Sequence, residues 1–414
     1  MSVTTEGGTG ESEENFTFIE APTITSFTPT SGGKDTSVTI TGTYFTDATK
    51  VMFGDTDAAS FTVDSETQIT AIVGEGSTGK ITVTTPGGTA ESEGVFTYTE
   101  VVPSVYWVDL LNGSDNNNGS EETPWKTLHH AITQINGGIA GTSIDWYTLN
   151  VKLPTGSHSY SIGDGEDDSE LIVSQNYVTI VGESGSGPII DGTGATNWTK
   201  GIKITGSDVK LYNLYITNFS DENESAIYID SGSGHEINNC ELYRNRDAIV
   251  VNPTASHFTI TNCTLYDNSR YGMYLLQSQN GSILANRIYG TVSPYPQYGI
   301  YVIACSPQIK RNTIYDVNNG IVVLACIHDA SPDIWNNLIY EASSSPTTNA
   351  MSNGILILSN SSKTAGPRIY HNTIDGGTFM GIKMVFGEGS GAISPEIKYN
   401  IITNFGEFGI YRRG

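Results

Sequence analysis

The chain has 414 residues, 44 acidic against 20 basic for a formal charge of −24, and only 15% charged side chains beside 46 Gly and 22 Tyr. Coiled coils and Lys/Glu-rich helical bundles need far more charge, and a phosphate-binding surface rests on Lys and Arg, so the composition argues against a helical bundle and against a nucleic-acid partner. No run of about 18 apolar residues reads as a membrane span, and Met1 leads into polar Ser, Thr, Glu and Gly rather than a signal peptide.

The length predicts two to three domains, and the charge is unevenly shared among them. Residues 1–100 carry 15 acidic and 3 basic side chains, 101–191 carry 12 and 2, and 192–414 carry 17 and 15. The front half is therefore a self-repelling, soluble surface and the back half is nearly neutral. Val3 to Glu20 (VTTEGGTGESEENFTFIE) and Val83 to Glu100 (VTTPGGTAESEGVFTYTE) share 12 of 18 residues at an offset of 80. The expectation is an 80-residue module present twice, residues 1–20 being the tail of a preceding copy and 21–102 a complete one, within a larger parent chain.

The complete copy shows period-2 runs (Ser37-Val38-Thr39-Ile40-Thr41, Lys80-Ile81-Thr82-Val83-Thr84) between Gly, Pro and Asp turns, which predicts about seven short strands in a β-sandwich. Its Pro22-Thr-Ile24-Thr-Ser-Phe27-Thr-Pro29-x-Ser31-Gly32, Ile40-Thr-Gly42-Thr-Tyr-Phe45, Val51-Met-Phe53-Gly54 and Thr84-Thr-Pro86-Gly87-Gly88 resemble an IPT/TIG immunoglobulin-like domain. That resemblance implies a spacer or adhesive module of bacterial exterior proteins.

Residues 103–414 read as one solenoid. At its start, Tyr106-Trp-Val108-Asp109, Asn112-Gly-Ser-Asp115 and Thr123-Pro124-Trp125 precede a helical pattern with Leu128, Ala131, Ile132 and Ile135 on one face, an N-terminal cap within 103–150. From Val209 the phrase apolar-x-x-Asn-x-apolar recurs, with Asn at 286, 312, 337, 372 and 400 and Cys in its place at 240 and 263. A second phrase follows each, Ala226-Ile, Ala248-Ile, Gly272-Met, Gly299-Ile, Gly320-Ile, Gly354-Ile, Gly381-Ile and Gly409-Ile. Two short strands per turn of about 25 residues cannot bury an apolar face alone, so the turns stack, with Asn chaining its amide up the ladder. The repeats resemble the right-handed parallel β-helix of the pectate-lyase-like superfamily. The predicted fold is all-β, a sandwich followed by a capped β-helix whose C-terminal end, Gly409-Ile-Tyr-Arg-Arg-Gly414, reads as stopping inside a turn.

Three outward features are candidates for chemistry. Tyr215, Tyr243, Tyr266, Tyr289, Tyr315 and Tyr340 each follow the ladder phrase and should form an outward row, either a platform for sugar faces or a stack of rings upon one another. Arg244, Arg246 and Arg270 cluster with Asp247 at adjacent coils; they could neutralise a uronate carboxylate, with Tyr243, Tyr266 or His257 as base or acid, or they could be turn arginines paired with Asp247 and Asp267. The outward row of the Gly-Ile strands is Tyr228, Val250, Tyr274, Tyr301, Val322, Leu356, Lys383 and Tyr411, and a second row runs from Asp230 and Asn252 through apolar residues to Val385 and Arg412. In catalytic β-helix families this neighbourhood carries charged groups, so mostly apolar rows point to a covered face and possible self-association.

The run Asp164-Gly-Glu166-Asp167-Asp168-x-Glu170 is a candidate Ca²⁺ site or a solvated acidic run, and Asp115-x-Asn117-x-Gly119 weakly echoes a calcium loop. Cys240 with Cys263, and Cys305 with Cys326, align in phase as buried thiols or disulfides. The resemblance implies a protein at the exterior of a bacterium that engages an extracellular polysaccharide, with cleavage of an acidic glycan by β-elimination favoured over hydrolysis if it is an enzyme. A non-catalytic adhesin or stalk is the alternative, and a trimeric tailspike fits the tandem IPT/TIG modules less well.

Overall fold

The computed structural model describes residues 2–11, 19–74, 78–98, 104–138, 146–152, 159–162, 170–183, 187–195, 199–291, 296–341, 352–359, 362–377, 380–386 and 392–413. It divides into two compact units, Met1–Val102 and Pro103–Gly414.

In the first unit, alternation drives two sheets together. One holds Thr23–Thr28, Ser37–Thr43, Gln68–Ile72 and Ser60–Ser65; the other holds Ser31–Gly32, Gly88–Tyr98, Gly79–Thr85, Lys50–Phe53 and Thr56–Asp57. Every second residue of the central strands (Val38, Ile40, Ile69, Ala71, Ile81, Val83) is buried, and Phe45, Phe53 and Phe96 fill the space between the sheets. The sequence repeat is also a structural one. The hairpin Ser2–Glu11 pairs Thr5 with Gly8 and Ser2 with Glu11, and 80 residues later Thr85 pairs with Gly88 and Thr82 with Glu91. Even the cross-strand hydroxyl contact recurs, Thr4 to Thr9 at 2.8 Å and Thr84 to Thr89 at 3.0 Å.

The second unit is a parallel solenoid with three sheets of 11, 10 and 10 strands, not two strands per turn. The recurring Asn phrase holds two of the three strands: Gln308–Lys310 lies on the first sheet and Thr313–Tyr315 on the second, and the third sheet takes Asn319–Ala325. The residue before each ladder Asn makes the corner. Ala285, Arg311, Asn336, His371 and Tyr399 all adopt positive φ between 54° and 58°, which turns the chain within one residue. The Asn that follows points inward and is bonded on both sides: Asn312 Nδ2 donates to Ile283 O at 3.0 Å and to Asn337 Oδ1 at 3.0 Å. A shorter ladder joins Asn245 and Asn268 at the next corner, 3.0 Å apart.

Small residues open the third-sheet strands because they face a crowded interior. A Cβ on Gly299 would lie 2.5 Å from Gly320 O and 2.8 Å from Ile314 Cγ2, so close approach between coils, rather than a bend, requires glycine there. The helix Leu128–Asn136 is N-capped by Thr127, whose hydroxyl accepts from His130 N at 3.1 Å, and it buries Leu128, Ala131, Ile132 and Ile135 in the solenoid core. Asp115 serves this cap: its carboxylate accepts from the N–H groups of Lys126 and Thr127, both at 2.9 Å, and from the Thr127 hydroxyl at 2.8 Å, so its oxygens are committed to a turn. All four cysteines are thiols rather than disulfides.

Candidate functional site

The charged groups that could do chemistry converge on the outer face of the third sheet. Strand Lys200–Ile204 pairs with Ser225–Ser233, which pairs with Asp247–Ser256 and then with Tyr271–Leu276. Parallel register places Lys200, Ser225, Asp247 and Tyr271 in one row and Lys203, Tyr228, Val250 and Tyr274 in the next outward row. With strands about 4.8 Å apart, these rows, closed at one side by Glu170, Asn223 and Glu224, form a groove of about 380 Å³.

Three cations and three carboxylates meet there. Arg270 Nε donates to Asp247 Oδ1 at 2.9 Å and Nη2 to Oδ2, a bidentate pair in which the carboxylate is 2% exposed. The Asp247 hydrogen bond holds the guanidinium above its ordinary range, and Arg270 lies 4.6 Å over the Tyr271 ring. Lys203 sits 3.5 Å from Asp230, and Lys200 donates to Asn223 O. Burial lowers the Lys200 ammonium's pKa, against the raising effect of Glu170 and Asp247. Burial raises the carboxyls of Glu170 and Glu224. Glu224 is 2% exposed; its Oε2 accepts from Asp221 N at 2.9 Å, while its Oε1 and the Ser225 hydroxyl are buried without a hydrogen-bond partner. Burial also keeps Tyr228 and Tyr274 protonated, and Tyr228 accepts from Asn252 Nδ2 at 2.7 Å.

Of the candidate arginines, His257 and the tyrosine row, only Arg270 lines this groove, together with Asp247, Glu170 and the outward-row residues Tyr228, Val250, Asn252 and Tyr274. Arg246 is its neighbour one coil back, with Arg270 N donating to Arg246 O at 2.9 Å, but its Nε is buried without a partner. Arg244 is an exposed corner residue at φ 55°, facing the Tyr243 ring at 6.0 Å. His257 occupies the opposite corner at φ 49°, where its Nε2 accepts from Asn280 Nδ2 at 3.0 Å. Asp267 binds Thr291 N at 2.6 Å rather than an arginine.

The tyrosine row forms, with one correction. Tyr243, Tyr266, Tyr289, Tyr315 and Tyr340 stack in register with ring centroids 5.0, 5.3, 4.8 and 5.0 Å apart. Tyr215 is not among them; it pairs with Glu241, and Thr217 holds its expected place, because Leu214 and not Asn213 fills the inward ladder position. The rings cover one another's faces, so the column presents edges and hydroxyls instead of a flat platform. Tyr266 donates to Glu241 Oε1 at 2.9 Å, and Arg287 lies over Tyr289 and Tyr315 at 4.7 and 5.3 Å.

The apolar outer rows also differ from expectation. Val322 is fully buried and Val250, which lines the groove, is 7% exposed, and Arg413, not Arg412, continues the second row after Val385. Asp164, Glu166, Asp167 and Asp168 lie outside the described residues. Among the described residues no three His, Cys, Asp or Glu side chains gather to hold a metal, and the groove carboxylates face Lys and Arg, so these residues do not fit Ca²⁺.

Sequence reasoning missed Lys200, Lys203 and Glu224, and it read Glu170 only as the end of an acidic run. The signal was present as Gly201-Ile202, one coil before the first Ala-Ile phrase, which puts Lys203 on the row that continues into Tyr228 and Lys200 on the row of Ser225.

The right handed β-helix family matches residues 200–379, and the IPT/TIG domain family matches residues 22–98. The chain carries an IPT/TIG domain and a right-handed β-helix. No curated protein matches the chain. A solved rhamnogalacturonan lyase superposes on 72% of this chain and 87% of its own at a TM-score of 0.50 and 12% identity. Pectate lyase Pel9A does so over 72% and 80% at 0.48 and 16% identity. The GH136 lacto-N-biosidase from Eubacterium ramulus covers 73% and 68% at 0.48 and 11% identity. At these identities the likeness is one of β-helix fold.

Proposed function

We propose that the β-helix binds an extracellular acidic polysaccharide in the third-sheet groove and cleaves it by β-elimination at the exterior of a bacterial cell. The observation that carries this reading is the convergence of Lys200, Lys203 and Arg270 on one groove of a chain with net charge −24. A uronate carboxylate brought between Lys203 and Arg270 becomes a better electron sink, which makes the neighbouring C5 proton removable. Lys200, whose pKa burial lowers, is the group to take that proton. The C5–H electrons form the C4–C5 double bond as the C4–O bond breaks, and Tyr274 or Tyr228, both held protonated by burial, supplies a proton to the departing oxygen. Rhamnogalacturonan and pectate lyases among the β-helix structures support a uronate-containing substrate, and the IPT/TIG domain supports an exterior location.

The test is absorbance near 235 nm, where unsaturated uronates absorb, on rhamnogalacturonan, pectate, alginate and neutral glycans, with and without Ca²⁺ and with a reducing-end assay alongside. Absorbance gained on one acidic glycan and lost in Lys200→Ala supports elimination; reducing ends without absorbance would replace it by hydrolysis. A second reading, non-catalytic glycan adhesion, draws on the groove cations' existing partners in Asp247, Asp230 and Asn223. It predicts binding without either product.

A further inference from the structure

The first sheet carries a concavity on a different face of the solenoid from the groove. On its outer surface, Lys310, Trp335, Tyr370 and Lys398 follow one another in register, and Asp333 and Arg368 flank them in the adjacent row. Lys310, Asp333, Trp335, Arg368 and Tyr370 enclose about 250 Å³. Along the same row the preceding coils carry Tyr212, Asn238, Thr261 and Leu284 before Lys310, so Trp335 and Tyr370 are two aromatic residues on adjacent coils.

We propose that this concavity is a second carbohydrate-binding site, taking one neutral pyranose residue of a glycan chain that continues across the surface. Trp335 is 39% exposed, with only the Lys310 ammonium lying over a face of its ring among the described residues. An exposed indole is an apolar plate for the C–H face of a sugar. The polar rim is set for hydroxyls. Arg368 holds Asp333 by Nε to Oδ1 at 2.5 Å and Nη2 to Oδ2 at 2.6 Å, Lys310 donates to Gln308 Oε1 at 2.6 Å and lies 4.6 Å over the indole, and Lys398 pairs with Glu396. Arg368 and Asp333 compensate each other and Lys398 is paired with Glu396, while Lys310 is held by the neutral Gln308 amide; the remaining Arg and Lys N–H groups and carboxylate lone pairs suit sugar hydroxyls. The volume falls below the range of about 300–1,000 Å³ typical of enclosed small-molecule pockets, which fits a single ring of a polymer better than a free metabolite. A polymer held here and in the groove would gain from its raised local concentration.

This site does not depend on the groove's chemistry, and the experiment separates them. The full chain is run in native gels containing hydroxyethylcellulose, galactomannan, xyloglucan, arabinogalactan or pectate, beside Trp335→Ala, Trp335→Phe and Lys200→Ala. At least one neutral glycan should retard the protein. Trp335→Ala should weaken that retardation about tenfold, the scale of one lost ring contact, with Trp335→Phe restoring part of it and Lys200→Ala leaving it unchanged. Trp335 is at the surface, so equal thermal melting of the variants checks that folding is intact. No retardation by any neutral glycan, retardation by pectate alone, or retardation insensitive to Trp335→Ala would overturn the proposal.

Discussion

Asn286 and Asn312, one coil apart, share a single oxygen: Asn312 Oδ1 accepts both the Asn286 side-chain Nδ2 at 3.0 Å and the Asn286 backbone N–H at 2.9 Å. The same arrangement links Asn312 to Asn337, Asn337 to Asn372 and Asn372 to Asn400. At the other end Asn286 Oδ1 accepts from the backbone N–H of Cys263, and the ladder passes into thiols. The backbone N–H groups of Cys263, Asn286, Asn312, Asn337 and Asn372, each following an αL corner residue, are thereby satisfied by the ladder, in an interior where an orphaned polar group is costly.

Asn312→Ala should therefore destabilise the β-helix by about 2–4 kcal/mol, because in a dry interior one Asn286 Nδ2–H and the Asn286 backbone N–H lose their acceptor and Ile283 O loses the Asn312 amide donor. Asn400→Ala, at a half-exposed position that water reaches, should cost roughly 1 kcal/mol. Urea denaturation followed by circular dichroism gives both values; equal losses at the two positions would show that burial is not what gives the ladder its weight.

Glu224 supplies a pH signature. Burial raises its carboxyl above the unfolded value, so the folded chain holds that proton more tightly than the unfolded one. The resulting stability is fully present below about pH 4 and is lost as pH rises through the raised folded value. Glu224→Gln has no proton to lose and keeps an oxygen for Asp221 N. The variant should gain on the native protein in urea midpoint between pH 4 and pH 7. A difference independent of pH would mean that Glu224 titrates normally.

The sandwich and the ladder were legible in the sequence because each rests on residues whose type is dictated by position: alternating Val and Ile in a two-sided core, Asn at an inward corner. The third strand of each coil was hidden for the opposite reason. The corner residue that splits the Asn phrase is Ala285, Arg311, Asn336, His371 or Tyr399, a set without common chemistry, since only its backbone matters. Tyr215 was misplaced because it follows the apolar Leu214, which itself takes the inward ladder position after the Asn213 corner at φ 57°, so that Ile216 is the last apolar residue of the phrase and Thr217 follows it. The groove's lysines escaped because they precede the first repeated phrases, and Glu224 because no phrase marks it; Asp247 and Arg270, on repeated coils, were legible, and Glu170 was read only as part of an acidic run.

The tyrosine column should behave as packing, not as a ligand platform. Tyr289 lies mid-stack between rings at 5.3 and 4.8 Å, and Tyr289→Ala should cost roughly 2–4 kcal/mol through lost ring contacts and the gap left between Tyr266 and Tyr315. Tyr266→Phe keeps the stack and loses only the bond to Glu241, about 1 kcal/mol. Neither should alter glycan binding or product formation; loss of binding in Tyr266→Phe with stability intact would return the column to the site.

Gly42 tests the IPT/TIG domain in the same spirit. It lies in the strand Ser37–Thr43, opposite Ile24, where the register between the two strands shifts. A Cβ there would fall 1.8 Å from Thr23 O and 2.5 Å from Phe45 Cζ. The nearest atom is backbone held by its own pairing to Thr43, so it cannot yield without breaking the Thr23–Thr43 register, and Phe45 is fully buried. Gly42→Ala should thus cost the domain roughly 2–4 kcal/mol. Hydrogen exchange over the paired strands Ser37–Thr43 and Gln68–Ile72 reads this directly. Their protection should fall by a factor of about 30 or more. Unchanged protection would mean that the two strands can separate at Gly42 without loss, and that the glycine is not what lets them approach.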